Sequence, residues 1–136
     1  MKIYNSLTKR KEEFEPIEAG KVKMYACGIT VSGEAHIGHA YQALIYDIMR
    51  KYLQKLGYRV TYARNYTDVD DKIINRANEE GRSAAEVAAE YTEAFIADMR
   101  AVGVMDPDVR PKATEEIPAM IELISALVEG GHAYEV

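Results

Sequence analysis

Met24-Tyr25-Ala26-Cys27-Gly28-Ile29-Thr30-Val31-Ser32-Gly33-Glu34-Ala35-His36-Ile37-Gly38-His39 runs from an apolar stretch through a polar loop into a helix start. Upstream, Val22-Lys23-Met24-Tyr25-Ala26-Cys27 alternates and then turns apolar, as a strand entering a core does. Gly28 to Glu34 reads as a loop, with two glycines, Thr30 and Ser32. From Ile37 onward, Ala40, Leu44, Ile48, Tyr52 and Leu56 recur at helical spacing as the expected buried stripe, and Gly57 stops the helix. Tyr58-Arg59-Val60-Thr61-Tyr62-Ala63-Arg64 alternates again as a second strand. A strand, helix and strand in this order form a parallel pair joined by a right-handed crossover. The expected fold class is therefore α/β, beginning with the β-loop-α-β unit of a nucleotide-binding Rossmann-like sheet.

The chemistry-bearing residues cluster at the same place. His36 and His39 are three apart, so they share a face of the helix start. The backbone N–H groups of a helix N-terminus hold phosphate readily. Imidazole N–H groups beside them can strengthen their bonds as charge develops in phosphoryl or nucleotidyl transfer. Gly38 between them lets a flat base or a ribose approach the backbone. The plain alternative is a pair of solvated histidines, because this spacing arises often by chance. Cys27 is either a small hydrophobe or a thiolate ligand. One Cys does not close a tetrahedral zinc site, though Cys27 with His36 and His39 would supply three ligands. Asp68, Asp70 and Asp71 follow the second strand, at the edge where such sheets bind ligands. They would hold a cation or a substrate amine, or else cap the next helix. Thr67 is expected at the strand end, placed to point into the crevice. Tyr46, Tyr52, Tyr91 and Tyr134 are expected to pack rather than stack on bases.

Beyond this unit, a short helix ends at Gly81, and Ser83-Ala84-Ala85-Glu86 is a capping box. The helix it opens should bury Val87, Tyr91, Phe95, Met99 and Val102. Pro118 starts a last helix with Met120, Ile121, Ile124 and Leu127 inward, and His132 to Val136 reads as the start of another strand. At 136 residues the chain is long enough for one domain, and its composition excludes disordered and fibrous classes. No apolar run reaches the ~20 residues of a membrane span, and no apolar stretch of a signal peptide follows Lys2. A single Cys excludes a disulfide framework and fits a reducing cytoplasm. Residues 1–65 carry 11 basic against 6 acidic side chains, while residues 66–136 carry 6 against 16. That asymmetry suits an anionic ligand near the first half, or simply reflects solvated faces.

Several ordered segments then converge on one family. Tyr4-Asn5-Ser6-Leu7-Thr8, Met24 to Val31, His36-Ile37-Gly38-His39 and Asn65-Tyr66-Thr67-Asp68-Val69-Asp70-Asp71-Lys72-Ile73 resemble cysteinyl-tRNA synthetases, at matching intervals. Lys112-Ala113-Thr114 and Gly131-His132-Ala133-Tyr134 continue the resemblance to the end of the chain. It implies the first half of a class I synthetase Rossmann-like (HUP-type) parallel sheet, in a single partial domain spanning 1–136. Residues 1–80 would form the core with the His-x-Gly-His element, and 81–136 a helical segment leading toward the next strand.

The implied activity joins L-cysteine to ATP (with Mg2+) as cysteinyl-adenylate, then transfers cysteine to tRNA(Cys). By resemblance, His36 and His39 match the histidines that stabilise the α-phosphate, and Gly38 lies where adenine packs. Gly28, Thr30 and Thr67 line the amino-acid side, and Cys27 matches the first ligand of a Zn2+ that selects the substrate thiol. Sulfur suits zinc better than a hydroxyl does. Ser32-Gly33 departs from the family's usual Tyr-Asp, and Tyr41 from the usual Arg. The resemblance also implies further zinc ligands, a Lys-Met-Ser-Lys-Ser loop and an anticodon-binding domain beyond residue 136. The chain is expected to be an amino-terminal part that does not aminoacylate alone. Two other readings are an amino-sugar inositol cysteine ligase and a short paralogue that binds a nucleotide or a cysteine-like metabolite.

Overall fold

The computed structural model describes residues 1–136. An antiparallel hairpin of β1 (Lys2–Asn5) and β2 (Arg10–Glu13) comes first and lies outside the sequence expectation. Then come β3 (Lys21–Thr30), α1 (Ile37–Lys55) and β4 (Arg59–Thr67), with β3 and β4 parallel, as the sequence predicts. The chain next forms α2 (Asp71–Glu80), α3 (Ala84–Ala101) and α4 (Ile117–Glu129). Val109 to Lys112 lies along the far side of β4. There Arg64 N donates to the Val109 carbonyl at 3.0 Å and Tyr66 N to the Pro111 carbonyl at 2.9 Å. β4 thus has a hydrogen-bonded neighbour on each side.

The period-2 pattern of β4 turns Val60, Tyr62, Arg64 and Tyr66 to the core and leaves Asn65 and Thr67 on the other face. β3 keeps the same period only to Ala26. Ala26 pairs with Arg64 and Ile29 with Tyr66, so Cys27 and Gly28 together face Asn65 alone. This bulge shifts the phase by one residue: Val22 and Ala26 are buried before it, Ile29 and Val31 after it. Gly28 to Thr30, expected in a loop, therefore continues the strand.

The face of α1 also differs from the expected stripe. Ala43, Asp47, Arg50 and Leu53 are buried, whereas Ile48, Tyr52 and Leu56 are exposed and Ala40 and Leu44 only half-buried. Two charged residues hold the inward positions because specific partners meet them. Arg50 donates to the Asp106 carbonyl at 2.7 Å and to Asp108 Oδ1 at 2.8 Å, while Asp47 Oδ1 accepts from Met105 N at 3.3 Å. Asp108 Oδ2 also accepts from Tyr62 N, tying the 105–108 turn to β4. Apolar periodicity alone cannot anticipate such a polar core.

α3 matches its expectation through Met99: Val87, Tyr91, Phe95 and Met99 join Ile29, Val31, Ala43, Tyr66 and Ile73 in one cluster, although Val102 is exposed. Its capping box forms, with Ser83 and Glu86 each satisfying the other's backbone. α4 forms where Pro118 indicates, but Met120, Ile121, Ile124 and Leu127 lie exposed rather than inward. His132 to Val136 pairs with no strand. Of the four tyrosines expected to pack, Tyr91 is buried, while Tyr52 and Tyr134 are exposed. No helix is long and apolar enough to cross a membrane.

Candidate functional site

Both histidines are part of the helix start. His36 is the N-cap, its Nδ1 accepting from Gly38 N at 3.1 Å, and His39 Nδ1 accepts from His36 N at 3.3 Å. The imidazoles do the work that Ser and Glu do in an ordinary capping box. A backbone N–H can only donate, so each Nδ1 must be an acceptor. Each neutral ring then carries its proton on Nε2, which remains able to donate to a ligand. The rings stack with centroids 3.7 Å apart. Burial pushes the His39 proton affinity below its usual value, and the positive potentials of His36 and Arg64 add to this. A Cβ on Gly38 would sit 2.9 Å from His36 Cε1, so glycine there preserves the stacked pair.

Cys27, Gly28, Thr30 and Thr67 lie at the adjoining strand ends. Thr30 and Thr67 are register partners at the carboxyl ends of β3 and β4, and the bulge leaves Cys27 exposed beside them. Gly28 N donates to Asn65 Oδ1 at 2.7 Å, and a Cβ on Gly28 would fall 1.5 Å from the Asn65 carbonyl oxygen. The Cys27 carbonyl accepts from Gln42 Nε2 at 3.5 Å, and Gln42 Oε1 in turn accepts from Arg64 Nη2 at 3.1 Å. Arg64 is 3% exposed, with its guanidinium 5.0 Å from the centroid of the Phe95 ring. That ring also meets His39 edge-on at 6.4 Å. Residues 31–36, which link the two halves of the site, are anchored where Arg76 donates to the Ser32 carbonyl at 2.9 Å. Gly33 leaves room for that guanidinium, whose nearest nitrogen would stand 3.0 Å from an added Cβ.

Other expectations resolve into structure. Asp70 caps α2, accepting from Lys72 N at 2.9 Å, and Asp71 lies in its first turn. Asp68 accepts from Thr114 N at 3.0 Å and from its hydroxyl, so Asp68 and Asp70 each tie down the chain. No group of three or more His, Cys, Asp or Glu side chains gathers to hold a metal ion, so Cys27 does not join His36 and His39 in a local site. A cavity of about 520 Å³ lies elsewhere, between α3 and residues 110–115. Asn65, Gln42 and Arg64 escaped the sequence reading. The phase change between Ala26 and Ile29 signals the bulge they support, but only strand pairing shows which residue opposes it.

A family model described as the class I (C) tRNA synthetase catalytic domain matches residues 13–136. The cysteine--tRNA ligase of Syntrophobacter fumaroxidans is 54% identical over 133 residues, covering 98% of this chain and 27% of the relative. That of Clostridioides difficile is 52% identical over 136 residues, covering 100% and 29%. The chain thus spans somewhat over a quarter of the length of these relatives. Among solved structures, the ternary LeuRS–tRNA–LeuAMS complex from Agrobacterium radiobacter K84 superposes with a TM-score of 0.66 at 20% identity, over 86% of this chain and 15% of that one. Mycobacterium tuberculosis methionyl-tRNA synthetase bound by methionyl-adenylate gives 0.59 at 20% identity, over 71% and 18%. At that identity the structural likeness speaks for the fold alone.

Proposed function

The chain belongs to the family of class I (C) tRNA synthetase catalytic domains, and from that premise we propose that it carries the adenylate-forming site of a cysteine--tRNA ligase. Its substrates are L-cysteine and ATP with Mg2+, and tRNA(Cys) receives the product in the cytoplasm. The observation that carries this reading is the meeting of two devices at one sheet edge. A helix start with two Nε2–H donors lies beside strand ends that present a thiol, a bare peptide and two hydroxyls. The cysteine carboxylate attacks the α-phosphorus, forming a carboxyl–phosphate bond while the bond to the β-phosphate oxygen breaks and pyrophosphate leaves. His36, His39 and the first backbone N–H groups of α1 donate to the α-phosphate oxygens as their negative charge grows. Gly38 gives the adenine room against the backbone.

Gly28, Thr30 and Thr67 face the amino acid. Cys27 is the soft donor toward a zinc ion, but one thiol does not make a tetrahedral site, and no group of three or more such donors gathers in this chain. The test is cysteine-dependent ATP–pyrophosphate exchange, measured on this chain and on any longer product of the same gene. Exchange should depend on cysteine and fall by about 10²–10³ in kcat when His39 becomes Ala, the range for losing one charge-stabilising donor. Absence of exchange from every product would overturn the assignment.

A further inference from the structure

The Cys27–Gly28 peptide is gripped at both polar ends by side chains that the proposed function leaves without a role. Its N–H donates to Asn65 Oδ1 at 2.7 Å, and its C=O accepts from Gln42 Nε2 at 3.5 Å. The two grips come from opposite sides of the sheet, since Asn65 points away from the core face that Arg64 occupies. The sense of both amides is fixed by their partners. A backbone N–H demands the Asn65 oxygen, and Arg64, which has no acceptor, demands the Gln42 oxygen, so each remaining NH2 group is defined. Asn65 does more than hold Gly28: its Oδ1 also accepts from the Tyr25 hydroxyl at 3.0 Å, and its Nδ2 reaches Thr67 Oγ1 at 3.5 Å. The bulge makes this necessary, because the second of two residues facing one loses its regular ladder partner.

We propose that Asn65 and Gln42, the latter oriented by buried Arg64, are positioning residues that fix the Cys27–Gly28 peptide plane and so the Cα–Cβ direction from which the Cys27 thiol projects. Asn65 links that plane to the Thr67 hydroxyl, so one side chain sets the relative placement of two groups assigned to the amino-acid side. This deepens the proposed function, which supplies what the thiol meets; the grip itself is read without any substrate. Failure of pyrophosphate exchange and failure of the grip are therefore separate results.

The experiment is amide hydrogen exchange on this chain by NMR. Asn65→Leu keeps the size and removes the acceptor, and exchange at Gly28 should rise about tenfold, the worth of one lost hydrogen bond, with Leu53 and Ile73 unchanged. Asn65→Asp keeps the acceptor and should hold Gly28 within about threefold of the parent. No rise in Asn65→Leu, or an equal rise in Asn65→Asp, would overturn the proposal. If Asn65→Leu loosens the whole fold, Gln42→Met decides. A nitroxide on the sole cysteine, Cys27, should then tumble at least about twice as freely, as loss of its peptide's second anchor requires. An unchanged line shape there would overturn the proposal.

Discussion

Replacing Gly28 with Ala should be among the most damaging single-methyl changes in the chain. The added Cβ would lie 1.5 Å from the Asn65 carbonyl oxygen and 2.6 Å from its carbon, both backbone atoms that cannot swing aside. Restoring ordinary contact requires β3 and β4 to part locally by about 2 Å. That movement breaks the 2.7 Å bond from Gly28 N to Asn65 Oδ1 and strains the neighbouring 3.2 Å bond from Val31 N to the Thr67 carbonyl. Two hydrogen bonds at about 1 kcal/mol each and an overpacking term of about 1–2 kcal/mol sum to roughly 3–4 kcal/mol. For a chain of this size that lowers Tm by roughly 10–15 °C. The control is Gly20→Ala. Gly20 has nothing within 4 Å of the added Cβ but a φ of +74°, so it incurs only the left-handed penalty, about 1–2 kcal/mol. Urea and thermal melts followed by circular dichroism compare the two. A Gly28→Ala loss no greater than that of Gly20→Ala would refute the close approach of the strands.

Three further outcomes are expected. The depressed proton affinity of His39 means that the folded chain binds fewer protons there than the unfolded chain. Its contribution to stability is thus complete above about pH 6.5 and is lost as pH falls through the lower folded value; in urea titrations from pH 7 to 5, His39→Gln should flatten the decline, and an unaltered slope would contradict the burial argument. Asp108→Ala strips a carboxylate from buried Arg50 and frees Tyr62 N, which should cost about 2 kcal/mol by denaturant melt, less than for a fully enclosed pair because Asp108 is partly exposed. Ser83→Ala removes the N-cap of α3 and should cost about 1 kcal/mol, with faster amide exchange confined to its first turn.

The legibility of this chain follows from the range of each signal. The period-2 alternation of Tyr58 to Arg64, the stops at Gly57 and Gly81 and the Ser83–Glu86 box are local, and each forms as read. The inward faces of α1 and α4 depend on what lies opposite. Apolar spacing points to Ile48 and Tyr52, yet Asp47 and Arg50 are buried because Met105, Asp106 and Asp108, more than fifty residues later, satisfy them. The roles of the acidic cluster divide for the same reason. Asp70 needed only its own helix, whereas Asp68 needed Thr114.

By itself the sequence determined the β-loop-α-β order and the residues that meet at the helix start, because these are set by spacings along one chain. The structure shows that the imidazoles of His36 and His39 form the capping box, again through local bonds, and so keep Nε2–H available, because a ring's tautomer follows from the partner of its other nitrogen. Tertiary structure alone decided the orientation of Cys27. A bulge exists only between two paired strands, and the peptide it releases is held by Asn65 and Gln42, residues that no spacing around Cys27 reveals.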